Sequence, residues 1–313
     1  MTGWSAVLEV AGLLERADVD GAQVASALRE AGVEDVTVTH LETENGATDA
    51  VDGIVPGSKG RSSGGEAPTL GIIGRLGGVG ARPARTGYVS DGDGALATLA
   101  CAVHLGRLRR WGDAMAGDVR FATHVCPRAR IRPHHPVPYM VSPLSQAQMN
   151  EHEVDPSMEA LLCFDTTRGN RLVNRRGFAV TPTIKEGYIL RVSEDLLDLQ
   201  QDVTGRLPLV LPVSTQDVTP YENGLYHLNS LLQPSTATSA PVVGVAITTE
   251  AAVAGSATGA SQLVDVEEAV RFGVEVANAY GEQRCAFFDP EEFARLRELY
   301  GPMGHLQTPG THG

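Results

Sequence analysis

The feature that most restricts this chain is its set of short, continuously apolar runs. "TLGII" (69–73) and "APVVGVAIT" (240–248) lack the polar alternation of a half-solvated strand. Runs of that length and composition are strands with both faces covered. Segments with helical periodicity separate them. The spacing predicts helices over Ser5–Ala17, Asp20–Ala31 and Ala95–Arg110, and over "SEDLLDLQQDVTG" (193–205), with Ser193 as N-cap and Gly205 as stop. "DVEEAVRFGVEVANAYG" (265–281), capped by Asp265, reads as the last core helix, and "DPEEFARLRELYG" (289–301) as a polar terminal one. Further strands are expected at "DVTVTHLE", Tyr88–Ser90, "GDVRFATHV", "GFAVTPTIKEGYIL" and "RLPLVLPVS"; "MEALLCFDTTRG" reads as a helix end and then a strand stopping at Asp165, and "NGLYHLNSLLQP" as a short helix. Alternating strands and helices imply an α/β fold of three layers, α/β/α, around a mixed, mostly parallel sheet. The expectation is one domain over 1–300, with irregular Gly/Pro-rich loops at 46–66 and 127–145 and a flexible tail at 301–313.

Composition narrows the functions. Only 5% of residues are aromatic, so the core is built from Val, Leu, Ile and Ala. A net charge of -13 argues against nucleic acid or an anionic membrane as partner. No apolar stretch is long enough to span a membrane, and the N-terminus lacks the basic start and apolar block of a signal peptide. The four cysteines, Cys101, Cys126, Cys163 and Cys285, form no CxxC pair. That usage suits a reducing compartment, so a cytoplasmic location is expected.

Two glycine-rich stretches invite cofactor readings and fail them. "GRLGGVGARP" runs into Pro83 and another strand, so no helix N-terminus follows to take a pyrophosphate. "VPGSKGRSSGGE" lacks the Gly-Lys-Ser/Thr order of a phosphate-binding loop and the first glycine of a nucleophile elbow. No nucleotide cofactor is expected. That loop reads either as plain surface or as an anion-binding lid in which Lys59 and Arg61 hold a substrate carboxylate or phosphate.

Chemistry-bearing residues gather at predicted strand ends. "SDGDG" brings Asp91 and Asp93 to a strand-to-helix turn. "ATHVCP" places His124 and Cys126 on alternate positions that share a face, where they could ligate zinc, form a nucleophile–base pair, or simply be buried. "CFDTT" ends a strand at Asp165, and strand ends are where ligands meet an α/β sheet. "TQDVTPYENGLYHLN" adds Asp217, Tyr221, Tyr226 and His227, while His134 and His135 sit in the Pro-rich loop and read as solvated.

Nearly the whole chain resembles a bacterial and archaeal family of unknown function, number eleven seventy-seven in its series. The carriers are "PGSKGRSSGGEAPTLGIIGRLGG", "DTTRGNRLVNRRGFAVTPTIKEGYILRVSEDLLD" and "TQDVTPYENGLYHLNSLLQPSTAT". More remotely, the order of elements resembles the co-catalytic zinc exopeptidases, the aminopeptidase, carboxypeptidase and deacylase superfamily. That resemblance implies a peptidase-like domain and a two-metal site. The matching positions depart from it in most places. Arg75 and Gly77 stand where a His and an Asp ligand belong. Asp91 matches the bridging Asp, and Asp165 the later metal Asp. "RFATHVCP" replaces the Glu-Glu pair, leaving His124 or Cys126 nearby, and "GSATGASQLVD" has no final His.

The expectation is therefore a hydrolase of amide or peptide-like bonds in a small, anionic substrate. His124, Asp93 and Cys126 are its catalytic candidates. Arg75, Lys59, Arg61 and His227 are its substrate-binding candidates. Asp91, Asp165 and His124 would hold a divalent metal, zinc or manganese. Two alternatives remain open: a catalytically degenerate relative that binds a small anionic metabolite, and a cofactor-free acid–base lyase or isomerase. A homo-oligomer is expected because members of that superfamily often assemble.

Overall fold

A computed structural model describes residues 3–133, 138–167, 171–250 and 257–310. One sheet of nine strands organises the molecule. Its centre runs β4 (Val119–Val125), β3 (Leu70–Gly74), β7 (Ala160–Thr166) and β11 (Val242–Thr248), all parallel. Antiparallel strands flank this centre. On one side lies the hairpin of β1 (Asp35–Thr43) and β2 (Gly46–Val55), with β2 against β4. On the other, β8 (Gly177–Val180) and β9 (Ile184–Lys185) pair with β11, and β10 (Tyr188–Ile189) pairs with β9.

β7 shows how the two faces are filled. Ala160, Leu162 and Phe164 enter the main core, while Leu161 and Cys163 enter a second core on the opposite face. The main core is covered by α1 (Trp4–Leu14), α2 (Gly21–Glu30), α3 (Asp93–Arg110), α5 (Glu194–Thr204) and α6 (Leu263–Gly281). The other face is covered by α4 (Gln146–Glu153) and a 3-10 segment, Ser230–Thr236. α7 (Pro290–Tyr300) lies at the periphery, capped by Asp289. Both faces of the central strands are therefore dry, which accounts for their unbroken apolar runs.

Several expected elements differ. Residues 46–55 are a strand, not a loop. Gly53, which resembles a breaker, is required there, because a Cβ would lie 2.5 Å from the Asp35 carbonyl oxygen and 2.7 Å from the Phe121 ring. Tyr88–Ser90 is no strand: Ser90–Gly92 forms a 3-10 turn leading directly into α3. "RLPLVLPVS" forms no strand either; Pro208 and Pro212 cannot donate to a ladder, and one bridge, Val180 to Val210, remains. Within the Pro-rich loop, β5 (Arg130–Arg132) and β6 (Tyr139–Val141) pair as a small separate antiparallel sheet. Gln262, not Asp265, holds the N-cap position of α6, and its side chain makes no capping hydrogen bond. In the expected tail, Gly304–Gln307 forms a 3-10 turn, and Gln307 donates to the Ser235 and Thr238 carbonyls. Among the described residues, no helix is long and apolar enough to cross a membrane.

Candidate functional site

The central parallel strands end at a cleft of about 820 Å³. Arg75 and Leu76 follow β3 into it, and Asp165 and Thr166 end β7 there. Asp91, Tyr221, Ser230 and the segment from Tyr139 to Gln146 complete much of its wall.

Asp91 arrives because the start of α3 can pass unusually close to the sheet. A Cβ on Gly94 would lie 2.4 Å from the Arg75 carbonyl oxygen and 2.6 Å from that of Phe164. Only a glycine fits, and the "DGDG" turn is thereby pressed against the ends of β3 and β7. Asp91 Oδ2 accepts the Gly77 N–H at 2.6 Å, which fixes the carboxylate at the cleft wall.

Asp165 is buried and points to the face opposite Phe164. Its Oδ1 accepts the Thr166 N–H at 2.6 Å, and its Oδ2 accepts the Ser230 hydroxyl. Burial, aided by the charge of Asp91, pushes its pKa from the ordinary 3.8 up to about 7. The bonds from Ser230 and Thr166 and the charge of Arg75 pull partly the other way. Burial, with Asp165 second, also raises the Tyr221 phenol, which is hydrogen-bonded to Ser230. The cleft thus holds a carboxyl group that changes protonation near neutral pH beside a second carboxyl group. Such a pair suits general acid–base work.

A second buried network reaches the cleft from behind. Arg75 Nε pairs with Glu153 Oε2 at 2.8 Å, both side chains being 1% exposed. Its other nitrogens donate to Gln146 Oε1 at 2.7 Å and to Asn150 Oδ1. Glu153 Oε1 lies 3.2 Å from His124 Nδ1, and His124 Nε2 lies 3.2 Å from Ser142 Oγ. The Arg75 guanidinium, expected to bind substrate, is therefore engaged inside the protein, between α4 and β3. Among the described residues that line the cleft, Arg132 is an exposed cation, its Nη2 3.4 Å from Asn45 Oδ1.

The donor set does not fit the two-metal site that the peptidase resemblance implies. Asp91, Asp165 and His124 do not converge: the described residues contain no group of three or more His, Cys, Asp or Glu side chains placed to hold a metal. Both ring nitrogens of His124 are occupied by Glu153 and Ser142, and the fixed positive charge of Arg75 stands at the end of β3, in the position of the expected His ligand.

Other expected site residues have different tasks. Asp93 is fully buried and gathers hydroxyl groups: Oδ1 accepts from Tyr88 at 3.1 Å and from Ser261, and Oδ2 accepts from Thr166 at 3.5 Å. Cys126 lies beyond the end of β4 in a small apolar cluster with Ala81, Val89, Ala129 and Met140, and burial raises its thiol. It therefore does not share a partner with His124. Lys59 and Arg61 lie where β2 ends beside the starts of β3 and β4, at the edge of the sheet opposite the cleft. The Lys59 N–H bonds the Ala116 carbonyl, and Arg61 pairs with Glu159 at 3.0 Å. His227 uses Nε2 on Thr219 Oγ1 at 3.1 Å and Nδ1 on the Leu225 carbonyl at 3.1 Å, with its ring 4.5 Å from that of Tyr221. It braces the loop that carries Tyr221. Asp217 likewise ties that loop through the N–H groups of Ser214, Leu228 and Asn229. His134 and His135 lie outside the described residues.

Reasoning from sequence missed Ser142, Glu153, Ser230 and Arg132. A signal existed for Glu153: Ser145 and Gln148 form a capping box, which announces α4 and puts Glu153 in its last turn.

The fold is similar to that of solved peptidases. The bottromycin maturation enzyme BotP in complex with Mn matches with a TM-score of 0.50 at 13% identity, over 89% of this chain and 70% of that one. The LapA aminopeptidase of Legionella pneumophila matches at 0.47 and 12%, over 92% and 71%. A mutant leucine aminopeptidase of tomato matches at 0.49 and 12%, over 87% and 61%. At 13% identity the likeness to BotP concerns the fold alone, and it bears out the three-layer α/β architecture expected from the order of elements. No curated protein matches the sequence. A family profile described as Protein of unknown function (DUF1177) matches residues 39–310.

Proposed function

Because the chain belongs to that family of unknown function, its activity has to be argued from the cleft, and we propose a cytoplasmic hydrolase of amide or peptide-like bonds in a small, anionic substrate. One observation carries the reading: Asp165, at the end of β7, is a cleft-lining carboxyl whose proton is poised near pH 7 beside Asp91. Protonated Asp165 gives its proton to the leaving nitrogen, the step that makes an amine a competent leaving group. Asp91 stays on the Gly77 N–H and keeps the Asp165 proton in place through its charge. Arg132 attracts the substrate's carboxylate at the mouth. No step is routed through a metal, because the donor set described above does not fit one.

The test is turnover of a panel of N-acyl amino acids and dipeptides by wild type and Asp165→Asn. Turnover by wild type is expected to fall as pH rises through about 7, where Asp165 loses its proton. A full-rate Asp165→Asn enzyme would overturn the assignment. The departures from the two-metal ligand set favour a second reading, a binder of small anionic metabolites. It predicts saturable thermal stabilisation by the same panel with no release of amine.

A further inference from the structure

Behind the cleft wall, four side chains form one line: Ser142, His124, Glu153 and Arg75. We infer that this line is a nucleophile relay, with Ser142 attacking the substrate carbonyl and His124 taking its proton. The inference rests on the hydrolase reading of the cleft and supplies the nucleophile that reading lacks.

Position comes first. Ser142 follows β6 directly and lines the cleft, partly exposed. His124, on β4, is fully buried beneath it. The hydroxyl is held from both sides: Ser142 Oγ accepts the Leu144 N–H at 3.1 Å, and it lies 3.2 Å from His124 Nε2. A serine whose acceptor capacity is engaged by a backbone N–H has its proton free for the imidazole.

The far end of the line sets the tautomer. Glu153 Oε1, 3.2 Å from His124 Nδ1, is the acceptor there, while its Oε2 faces the Arg75 guanidinium at 2.8 Å. His124 therefore carries its proton on Nδ1 and turns a lone pair on Nε2 toward Ser142. This is the serine, imidazole and carboxylate order of a nucleophilic relay, in which each member orients the next. Asn150 and Gln146 hold Arg75 from the other side, and Asn150 Nδ2 donates to the Gln233 carbonyl and to Thr236. The support reaches from α4 to the 3-10 segment that carries Ser230.

The chemistry balances with water as the other reactant. Ser142 Oγ bonds to the carbonyl carbon as its proton moves to His124 Nε2. The C–N bond breaks, and the amine departs with a proton from Asp165. Water then attacks the resulting ester and gives one proton to Asp165. His124 returns its proton to Ser142 as the C–O bond breaks. Both groups end as they began, with a carboxylic acid and an amine released. Ser142 and His124 are catalytic residues in this scheme, and Glu153 is a positioning residue.

The probe is a fluorophosphonate, whose phosphorus bonds to an activated serine oxygen with loss of fluoride. Intact mass and peptide mapping should find one label, on Ser142. Ser142→Ala should keep its circular dichroism, take no label and lose amide turnover by about a thousandfold or more. Glu153→Gln should lower kcat by about a hundredfold or more at unchanged KM, with rates taken per folded enzyme by circular dichroism so that a smaller folded fraction does not mimic the split. Folded wild type unlabelled at Ser142, or Ser142→Ala at full turnover, would overturn the relay. Asp165→Asn separates the two claims: if it still labels Ser142 yet turns over at full rate, the acid assignment fails and the relay stands.

Discussion

Replacing Asp165 by Asn should change how stability depends on pH, and the direction is fixed by the environment of the carboxyl group. Its folded pKa, about 7, lies above the ordinary 3.8, so the folded state holds a proton that the unfolded chain has released. For an acid shifted upward, the native state is favoured below the unfolded value. That advantage is lost as pH rises from about 4 to about 7, after which the loss is complete. At about 1.4 kcal/mol per pH unit, the whole shift amounts to about 4 kcal/mol. Between pH 5 and pH 8, wild type should lose about 2–3 kcal/mol through this group. Asn is nearly isosteric: its oxygen still accepts the Thr166 N–H, and its amide can donate to Ser230 if that hydroxyl turns. Having no charge to bury, the variant should gain on wild type by about that amount across the range. Urea unfolding of both proteins at each half pH unit measures it, and subtracting one curve from the other removes every titration they share. A difference that stays constant from pH 5 to pH 8 would refute the argument that burial and Asp91 hold the Asp165 proton.

Three further outcomes follow from the packing. Arg75→Met and Glu153→Leu should each cost about 3–5 kcal/mol, because each strands a buried charge, whereas the double variant should cost less than the sum; urea midpoints of the three would show it. Gly94→Ala should cost about 1–3 kcal/mol and depress turnover, since its Cβ would press on backbone oxygens of Arg75 and Phe164 beside the site; unchanged melting would contradict the close approach. Arg61→Ala should leave turnover unaltered and stability within about 1 kcal/mol, because an exposed pair with Glu159 at the opposite sheet edge is lost; a large rise in KM would return that loop to the substrate.

The central strands were legible because burial on both faces leaves a mark in every residue of "TLGII" and "APVVGVAIT". The edges were not. β2 carries Gly46 and Gly53, which count as breakers in a one-dimensional reading, yet Gly53 is demanded by Asp35 and Phe121, residues brought beside it by pairing. The opposite error occurs at "RLPLVLPVS", where apolar character suggested a strand that two prolines prevent. Local composition reports burial, and it does not report who the neighbour is.

The site divides along the same line. Asp165 was readable because a strand end is a place defined by the chain itself, and Asp91 because the "DGDG" turn marks the start of α3, although the strand expected before it is absent. Their partners were not, because the neighbours that give them meaning come from elsewhere: Ser230 from the 3-10 segment, Gly77 from the loop after β3. His124 shows the limit most clearly. On sequence, its natural companion is Cys126, two residues away on the same strand. In the fold, β4 ends at Val125, so Cys126 turns into an apolar cluster and His124 looks across to α4 and the β6 end. The same displacement bears on the peptidase resemblance. Arg75, in the position of an expected metal ligand, does not leave a hole: it carries a charge that Glu153 must answer, and answering it leaves Glu153 Oε1 aimed at His124. The arginine that departs from the ligand set of the resemblance is thus the residue that orders the second network. Arg75→His should therefore loosen His124 and Ser142 as well, which faster hydrogen exchange at β4 and at the end of β6 would show.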